Sequence, residues 1–225
     1  MRTSLFLSAL TLSCFAAIAQ SSSVAPYDSP GHGSAINIAV SKIDEADGNA
    51  YFDEGLDYEK QGEYAEALTF FGKAAFEYNA IRKFQRYGDA LMKMSNMHYN
   101  LAHYVEAEQV MLNVAIKNYS KIGSRTGLMG AYQQLGKIYL AGNRITECLW
   151  FYTQQGILAQ QMGNNHAYIE SVLGIAMANI RRKDYKLAER DLKRAEWLAN
   201  SIRSKQYTGR IRDARNQLPV AKKRS

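Results

Sequence analysis

The chain has 225 residues, of which 47% are hydrophobic and 22% charged, an ordinary composition for a globular protein. Its 28 basic and 21 acidic side chains give a formal net charge of +7. This balance excludes wholesale disorder, a collagen-like repeat and a multi-span membrane protein. Proline occurs only at Pro26, Pro30 and Pro219, so nothing between the last two interrupts a helix. The sequence therefore predicts an all-α fold.

The N-terminal residues 1–19 have the pattern of a secretory signal peptide. Arg2 supplies a positive charge, an apolar stretch follows, and Ala17 and Ala19 place small residues where a signal peptidase reads the chain. The apolar stretch is about 15 residues long, shorter than the roughly 20 that span a bilayer. We therefore expect export to the periplasm or the exterior of a bacterial cell, with cleavage between Ala19 and Gln20. An uncleaved anchor is the alternative.

Residues 20–45 are predicted to form a flexible leader, because Ser, Gly and Pro are frequent and apolar periodicity is weak. Cleavage would remove Cys14 and leave Cys148 alone, so no intramolecular disulfide is expected. An exported protein without disulfides must rely on its apolar core for stability.

A repeat with a period of about 40 residues begins near residue 48. Small residues mark it at steps of 40, 41 and 40, at Ala67, Ala107, Cys148 and Ala188. Three residues before each marker stands a large residue: Tyr64, Tyr104, Ile145 and Tyr185. Seven residues after each marker the chain has Ala74, Val114, Gln155 and Ala195. Several markers that agree on one period indicate a helical repeat protein.

The first repeat carries small and aromatic residues at fixed offsets: Gly55, Tyr58, Gly62, Tyr64, Ala67, Phe71 and Ala74. This spacing resembles the tetratricopeptide repeat (TPR), in the long-period, MalT-like variety of bacterial regulatory and sensor proteins. The resemblance implies a right-handed superhelical solenoid of about four antiparallel helix pairs over 46–202. We expect the pairs at 48–61 with 64–79, 84–101 with 104–122, 125–141 with 145–162, and 166–182 with 185–202. A capping segment would follow at 203–218, with its helix at Lys205–Leu218. A basic tail would then occupy 219–225.

Glycine is expected at the inter-helix turns because it tolerates a positive φ. Gly62, Gly123 and Gly163 meet this expectation. The chain departs from the motif at Ser95, Ala102, Ala176 and Lys183, and it has Gly142 one place early with Asn143 after it. These departures leave the helix boundaries open by a few residues.

Motifs for catalysis or metal binding are not visible. The sequence has no phosphate-binding loop, no zinc motif and no paired cysteines. His98 and His103 are separated by a predicted turn and should not share a helical face. Cys148 falls at a packing position, where a buried, inert thiol is expected. We therefore expect no enzyme activity, no cofactor and no metal.

The resemblance also implies a concave groove lined by the first helix of each pair. Transferred by motif position, its candidate ligand-binding residues are Asn96, Tyr99, Gln133, Lys137, Met177 and Arg181. Leu173 and Ile180 fall on the same face. The mixture of amide, apolar and charged groups suits an extended or helical peptide. The alternative is that the apolar members pack on each other and close the groove. The carboxylate clamp of chaperone-binding relatives is poorly matched.

Charge is unevenly distributed along the chain. Acidic residues outnumber basic ones by eight between Asp28 and Glu77, whereas basic residues exceed acidic ones by ten from Arg181 to Ser225. Export argues against nucleic acid as the partner of the basic end. An anionic envelope surface or an acidic partner fits better. The favoured function is a non-catalytic, exported scaffold that binds a protein or peptide. The alternative is a periplasmic sensor whose shape change is read by a partner, and an enzyme ranks third.

Overall fold

The computed structural model describes residues 45–219, and helices account for 83% of these residues, with no strand among them. The predicted signal peptide, almost all of the leader, and Lys222, Lys223 and Arg224 of the tail lie outside the described residues. The helices are α1 (Glu45–Gln61), α2 (Tyr64–Ala80), α3 (Phe84–Asn100), α4 (Tyr104–Gln109), a π-helical segment (Val110–Ala115), α5 (Ile116–Lys121), α6 (Arg125–Ala141), α7 (Ile145–Gln161), α8 (Asn165–Arg181), α9 (Tyr185–Ser201) and α10 (Thr208–Arg215).

Consecutive helices pack against each other along the whole described chain, which confirms the all-α helical solenoid. From the second pair onward the first helices of successive pairs also meet directly, α3 with α6 and α6 with α8, and α10 extends this row by contacting α8. Among the described residues the second helices of successive pairs make no comparable contact. The first helices therefore form the inner, more tightly curved layer.

The same three-residue turn joins nearly all the helices. At each turn an N–H reaches back five residues to a carbonyl, as Glu63 N–H does to Tyr58 O at 3.0 Å. This Schellman geometry needs one residue with a positive φ. The residues that take it recur about every 20 positions: Gly62, Arg82, Ala102, Gly123, Asn143, Gly163, Lys183 and Arg203.

The departures from the glycine pattern change the turn residue but not the turn. Ala102 and Lys183 adopt φ values of 59° and 63°, close to the 68° of Gly123. Gly142 has an ordinary φ of −76°, and its neighbour Asn143 takes the left-handed position with φ 57°. Asn tolerates this region better than most residues. The turns therefore keep their geometry where the sequence lacks glycine.

The repeat step of 41 residues arises from one inserted residue in the second pair. The backbone stays helical from α4 through the π-helical segment into α5, so these form one continuous helix. A π-helical turn accommodates an extra residue without breaking the helix. The residue equivalent to Ala74 is therefore Ala115, which is fully buried, and the sequence-based assignment of Val114 to this position is wrong.

The small marker residues lie at the closest helix contacts, as predicted. Ala67, Ala107 and Ala188 are fully buried. A Cβ added at Gly55 would lie 2.8 Å from the Phe71 ring, so only glycine fits there. At Ser95, one of the departures, the side chain fits because its hydroxyl donates a hydrogen bond to the Ala107 carbonyl at 3.1 Å. The motif's small positions are thus explained by packing.

Buried tyrosines fill the space between successive helix pairs. The Tyr119 ring lies between Gly88 of α3 and Gly127 of α6, and the Tyr152 ring lies between Gly136 of α6 and Gly174 of α8. A Cβ at any of these glycines would come within 3.0 Å of the ring. Each ring therefore contacts the first helix of its own pair and that of the next pair.

The C-terminal helix α10 is shorter than the predicted Lys205–Leu218 by three residues at each end. A turn precedes it, in which the Thr208 N–H bonds to the Lys205 carbonyl. Tyr207, Ile211 and Ala214 are buried in the cluster that α8 and α9 share. This helix therefore covers the apolar end of the solenoid. Among the described residues no helix is both long and apolar enough to cross a membrane.

Candidate binding groove

Three adjoining hollows run along the row of first helices. The N-terminal hollow, of about 300 Å³, is lined by Phe52, Gln85, Asp89, Met92, Lys93, Tyr119, Thr126, Gly127 and Gly130. The central hollow, of about 570 Å³, is lined by Thr126, Met129, Gly130, Gln133, Lys137, Gln155, Asn164, His166, Ala167, Glu170, Tyr207 and Arg210. The C-terminal hollow, of about 260 Å³, is lined by Leu173, Met177, Arg210, Asp213, Ala214 and Gln217.

These hollows adjoin one another because they share lining residues. Thr126 and Gly130 of α6 belong to the N-terminal and central hollows, and Arg210 of α10 belongs to the central and C-terminal hollows. Gly130 has no side chain to separate the first two, and only the Met92 methyl would touch a Cβ placed there. An extended chain could therefore lie across all three.

Three charged side chains dominate the central hollow. Arg210 donates a hydrogen bond to the Glu170 carboxylate at 2.5 Å, and this bond raises the pKa of the Arg210 guanidinium. Lys137 is exposed, but partial desolvation by its surroundings lowers its pKa, with a smaller lowering from Arg210, while Glu170 acts in the opposite direction. Within residues 45–219 no carboxylate oxygen lies within 4 Å of Lys137 Nζ. The excess positive charge of the hollow is therefore that of Lys137.

The polar residue Gln155 reaches the central hollow from α7 and is fully buried. Its Nε2 donates a hydrogen bond to the Ala167 carbonyl at 3.2 Å. A carbonyl can only accept, so this bond fixes which end of the amide is the nitrogen. The other end, Oε1, has no hydrogen-bond partner among the described residues.

The rim of the central hollow is held by hydrogen bonds to His166. The Tyr207 hydroxyl and the Gln206 amide nitrogen lie 2.9 and 3.0 Å from its Nδ1. Asn164 caps the start of α8 by accepting a hydrogen bond from the Ala167 N–H at 3.0 Å. These contacts connect the segment before α10 to the first turn of α8.

The six predicted site residues divide into two groups. Gln133 and Lys137 line the central hollow, and Met177 lines the C-terminal hollow. Asn96, Tyr99 and Arg181 line none of these three hollows. Tyr99 is half-buried beside Tyr104, with 5.6 Å between ring centroids, and Arg181 is exposed at the end of α8.

The sequence left two alternatives, an open groove and a groove closed by apolar packing, and each holds over part of the length. Leu173 and Ile180 are buried in the cluster of α8, α9 and α10, so these apolar positions do pack inside the solenoid. Leu173 still borders the C-terminal hollow, and the central hollow stays open. Packing therefore narrows the C-terminal part of the groove without closing it.

The residues of the central hollow that motif position does not predict include Gln155, His166, Glu170 and Arg210. Arg210 and His166 lie outside the motif positions that line such grooves, so the motif carries no signal for them. Gln155 did have a signal, because it stands where other repeats have Ala. A polar residue at a packing position indicates either a special contact or a function.

Cys148 is buried, as the sequence predicts. Its thiol is fully buried, and burial raises its pKa to about 12, so it stays protonated near neutral pH. The rings of His98 and His103 come within 6.1 Å of each other across the turn. Across the described part of the chain no group of three or more His, Cys, Asp or Glu residues could hold a metal ion.

The chain is therefore an all-α protein of repeated helix pairs, with a groove along its inner helices. Comparison with models of known protein families gives no match, and comparison with curated protein sequences gives none either.

Proposed function

We propose that this chain is an exported, TPR-like scaffold that binds an extended segment of a partner protein without catalysing a reaction. The observation that carries the proposal is the groove formed by three adjoining hollows, which all lie against the inner row of helices. Grooves of this kind bind extended or helical segments by combining side-chain pockets with polar groups for the backbone.

The lining of the groove fits such a segment. Met92 and Met177 provide adaptable apolar surface at its two ends. Gln133 offers both a donor and an acceptor to a peptide backbone in the middle, and Lys137 adds a positive charge beside it. An extended chain needs this combination of polar and apolar groups, because its backbone amides require partners while its side chains require pockets.

A capture experiment tests the proposal. The mature chain, from Gln20 onward, would be immobilised and incubated with an envelope fraction, and bound proteins would be identified by mass spectrometry. Affinity for the recovered partner would then be measured for Gln133→Ala and Lys137→Ala. Each is expected to weaken binding by about 1–2 kcal/mol if it contacts a hot spot. Lys186→Ala, an exposed lysine of the second helix α9, is the matched control.

A second set of variants separates the groove from the basic tail. Replacing Lys222, Lys223 and Arg224 together with Ala removes three positive charges of the predicted basic tail. If only this tail variant loses the partner, binding is electrostatic and the groove proposal is wrong. Export is tested independently by N-terminal sequencing, which should begin at Gln20 and would refute export with cleavage if it began at Met1.

A further inference from the structure

One residue of the central hollow breaks the packing pattern of the repeat. Its position is occupied by Ala74, Ala115 and Ala195 in the other three pairs, each fully buried, and by Gln155 in the third. The glutamine is equally buried. A buried polar atom without a partner costs free energy that alanine would avoid. Packing alone therefore does not account for the glutamine.

The unsatisfied atom of Gln155 defines what a ligand must bring. Oε1 is an acceptor, and the bond from Nε2 to Ala167 O prevents the amide from turning around. Less than 1 Å² of this oxygen is exposed, so a donor reaches it only when the neighbouring side chains of the hollow move aside, and it then displaces no existing bond of the oxygen. The backbone N–H of an extended peptide is such a donor.

A second unmet requirement in the same hollow concerns charge. Glu170 already accepts a hydrogen bond from Arg210, which leaves Lys137 without a carboxylate within 4 Å in the described residues. The Lys137 side chain is exposed to solvent, so its ammonium group is open to a ligand. A ligand carboxylate can therefore pair with this charge without breaking an existing ion pair.

The hollow borders both of its neighbours. It shares Gly130 with the N-terminal hollow and Arg210 with the C-terminal hollow. A ligand that ended in the central hollow would leave one of these continuations unused. The geometry therefore favours a segment that passes through it over one whose C-terminal carboxylate stops there.

From these contacts we infer that the central hollow recognises an internal Asp or Glu residue of an extended segment, with its backbone N–H bonded to Gln155 Oε1 and its carboxylate paired with Lys137. This inference rests on the proposed function and names the residue class that the groove selects. Gln155 is then a specificity-determining residue, and the third pair is where the selection occurs.

Peptides of one length test this selection. Three acetylated and amidated nonapeptides of Ser and Ala would carry Glu, Gln or Lys at the centre, and a fourth would carry central Gln with a free C-terminal carboxylate. Binding to the mature chain would be measured by calorimetry. The Glu peptide should bind at least tenfold more tightly than the Gln and Lys peptides. Its affinity should fall with added salt, and Lys137→Met should remove most of that dependence.

Substitutions at Gln155 separate recognition from packing. Gln155→Ala, which installs the residue of the other repeats, should weaken binding of the Glu peptide at least tenfold without lowering the melting temperature. Gln155→Met, of similar length but without hydrogen-bonding groups, should do the same if Ala leaves a cavity. Gln109→Ala, at an exposed glutamine of α4 outside the groove, should leave affinity unchanged.

Each contrary result has a defined meaning. Equal binding of the Glu and Gln peptides, or tighter binding of the peptide with the free carboxylate, overturns the inference while groove binding itself survives. Gln155 variants that bind normally but melt at lower temperature show a packing role and also overturn it. If no peptide binds, the inference fails, and capture from the envelope fraction still decides the proposed function separately.

Discussion

Replacing Gly127 with Ala should destabilise the solenoid at the junction of its second and third helix pairs. An added Cβ would lie 2.1 Å from Cδ1 of Tyr119, more than 1 Å short of the 3.4 Å at which ordinary contact begins. The ring is almost fully buried and cannot retreat, because Gly88 of α3 lies against it equally closely. Either α6 must move away from the ring or the ring must leave the core.

The cost follows from two opposing effects. Overpacking of this severity is expected at the upper end of about 1–3 kcal/mol. Alanine gains about 1 kcal/mol over glycine in helix propensity. The net loss should be about 2 kcal/mol, which lowers the melting temperature of a chain of this size by roughly 4–8 °C.

Circular dichroism melts and urea titrations of the chain from Gln20 onward measure this loss. Gly72→Ala in α2 is the matched control, because no described atom lies within 4 Å of its added Cβ, so it should stabilise by about 0.5–1 kcal/mol. Opposite signs for the same chemical change would support the packing of Tyr119. If the two variants shifted stability equally, that result would refute the assignment of Tyr119 between α3 and α6.

Three further predictions follow from the turns, the π-helical segment and the half-buried His98. Ala102→Gly should stabilise by about 0.5–1 kcal/mol because it removes a left-handed alanine, whereas Gly62→Ala should destabilise by a similar amount, both measured by urea titration. Deleting Asn113 should convert the π-helical segment to regular helix with no loss of melting temperature, whereas deleting Thr153 from α7 should rotate the following residues by about 100° and unfold the pair. Partial burial lowers the pKa of His98 in the folded chain. Below about pH 6.5 the unfolded chain therefore binds a proton at His98 that the folded chain does not bind. The free energy of unfolding should fall as the pH drops from there toward the lowered pKa of the folded chain. The fall between pH 7 and pH 5 should be smaller in His98→Gln, and an unchanged fall would contradict this account.

Most helix boundaries can be predicted from the sequence because packing repeats. Ala67 and its equivalents must be small wherever two helices meet closely, and Gly62 must permit a positive φ, so the period is visible in the residue types. The inserted residue was visible only as a step of 41, because a π-helical turn has no residue signature of its own. This is why Val114 was assigned to the position that Ala115 occupies.

The candidate site is less predictable than the fold. Gln133, Lys137 and Met177 line the groove because the motif fixes the inner face of α6 and α8. The pairing of Glu170 with Arg210 could not be predicted, since α10 lies outside the repeat and its contacts depend on how the end of the solenoid is covered. A contact between a repeat and a helix outside the repeats leaves no periodic pattern in the sequence.

Site-specific photocrosslinking tests the central claim, that a partner lies in the groove, most directly. A photoreactive amino acid would replace Gln133 in the central hollow or, as the control, Lys186 on the second helix α9. Both proteins would be produced in cells, irradiated and analysed for crosslinked partners by mass spectrometry. We predict a single crosslinked partner at the Gln133 position and none at the Lys186 position. Crosslinks at the Lys186 position alone, with none in the groove, would contradict the account.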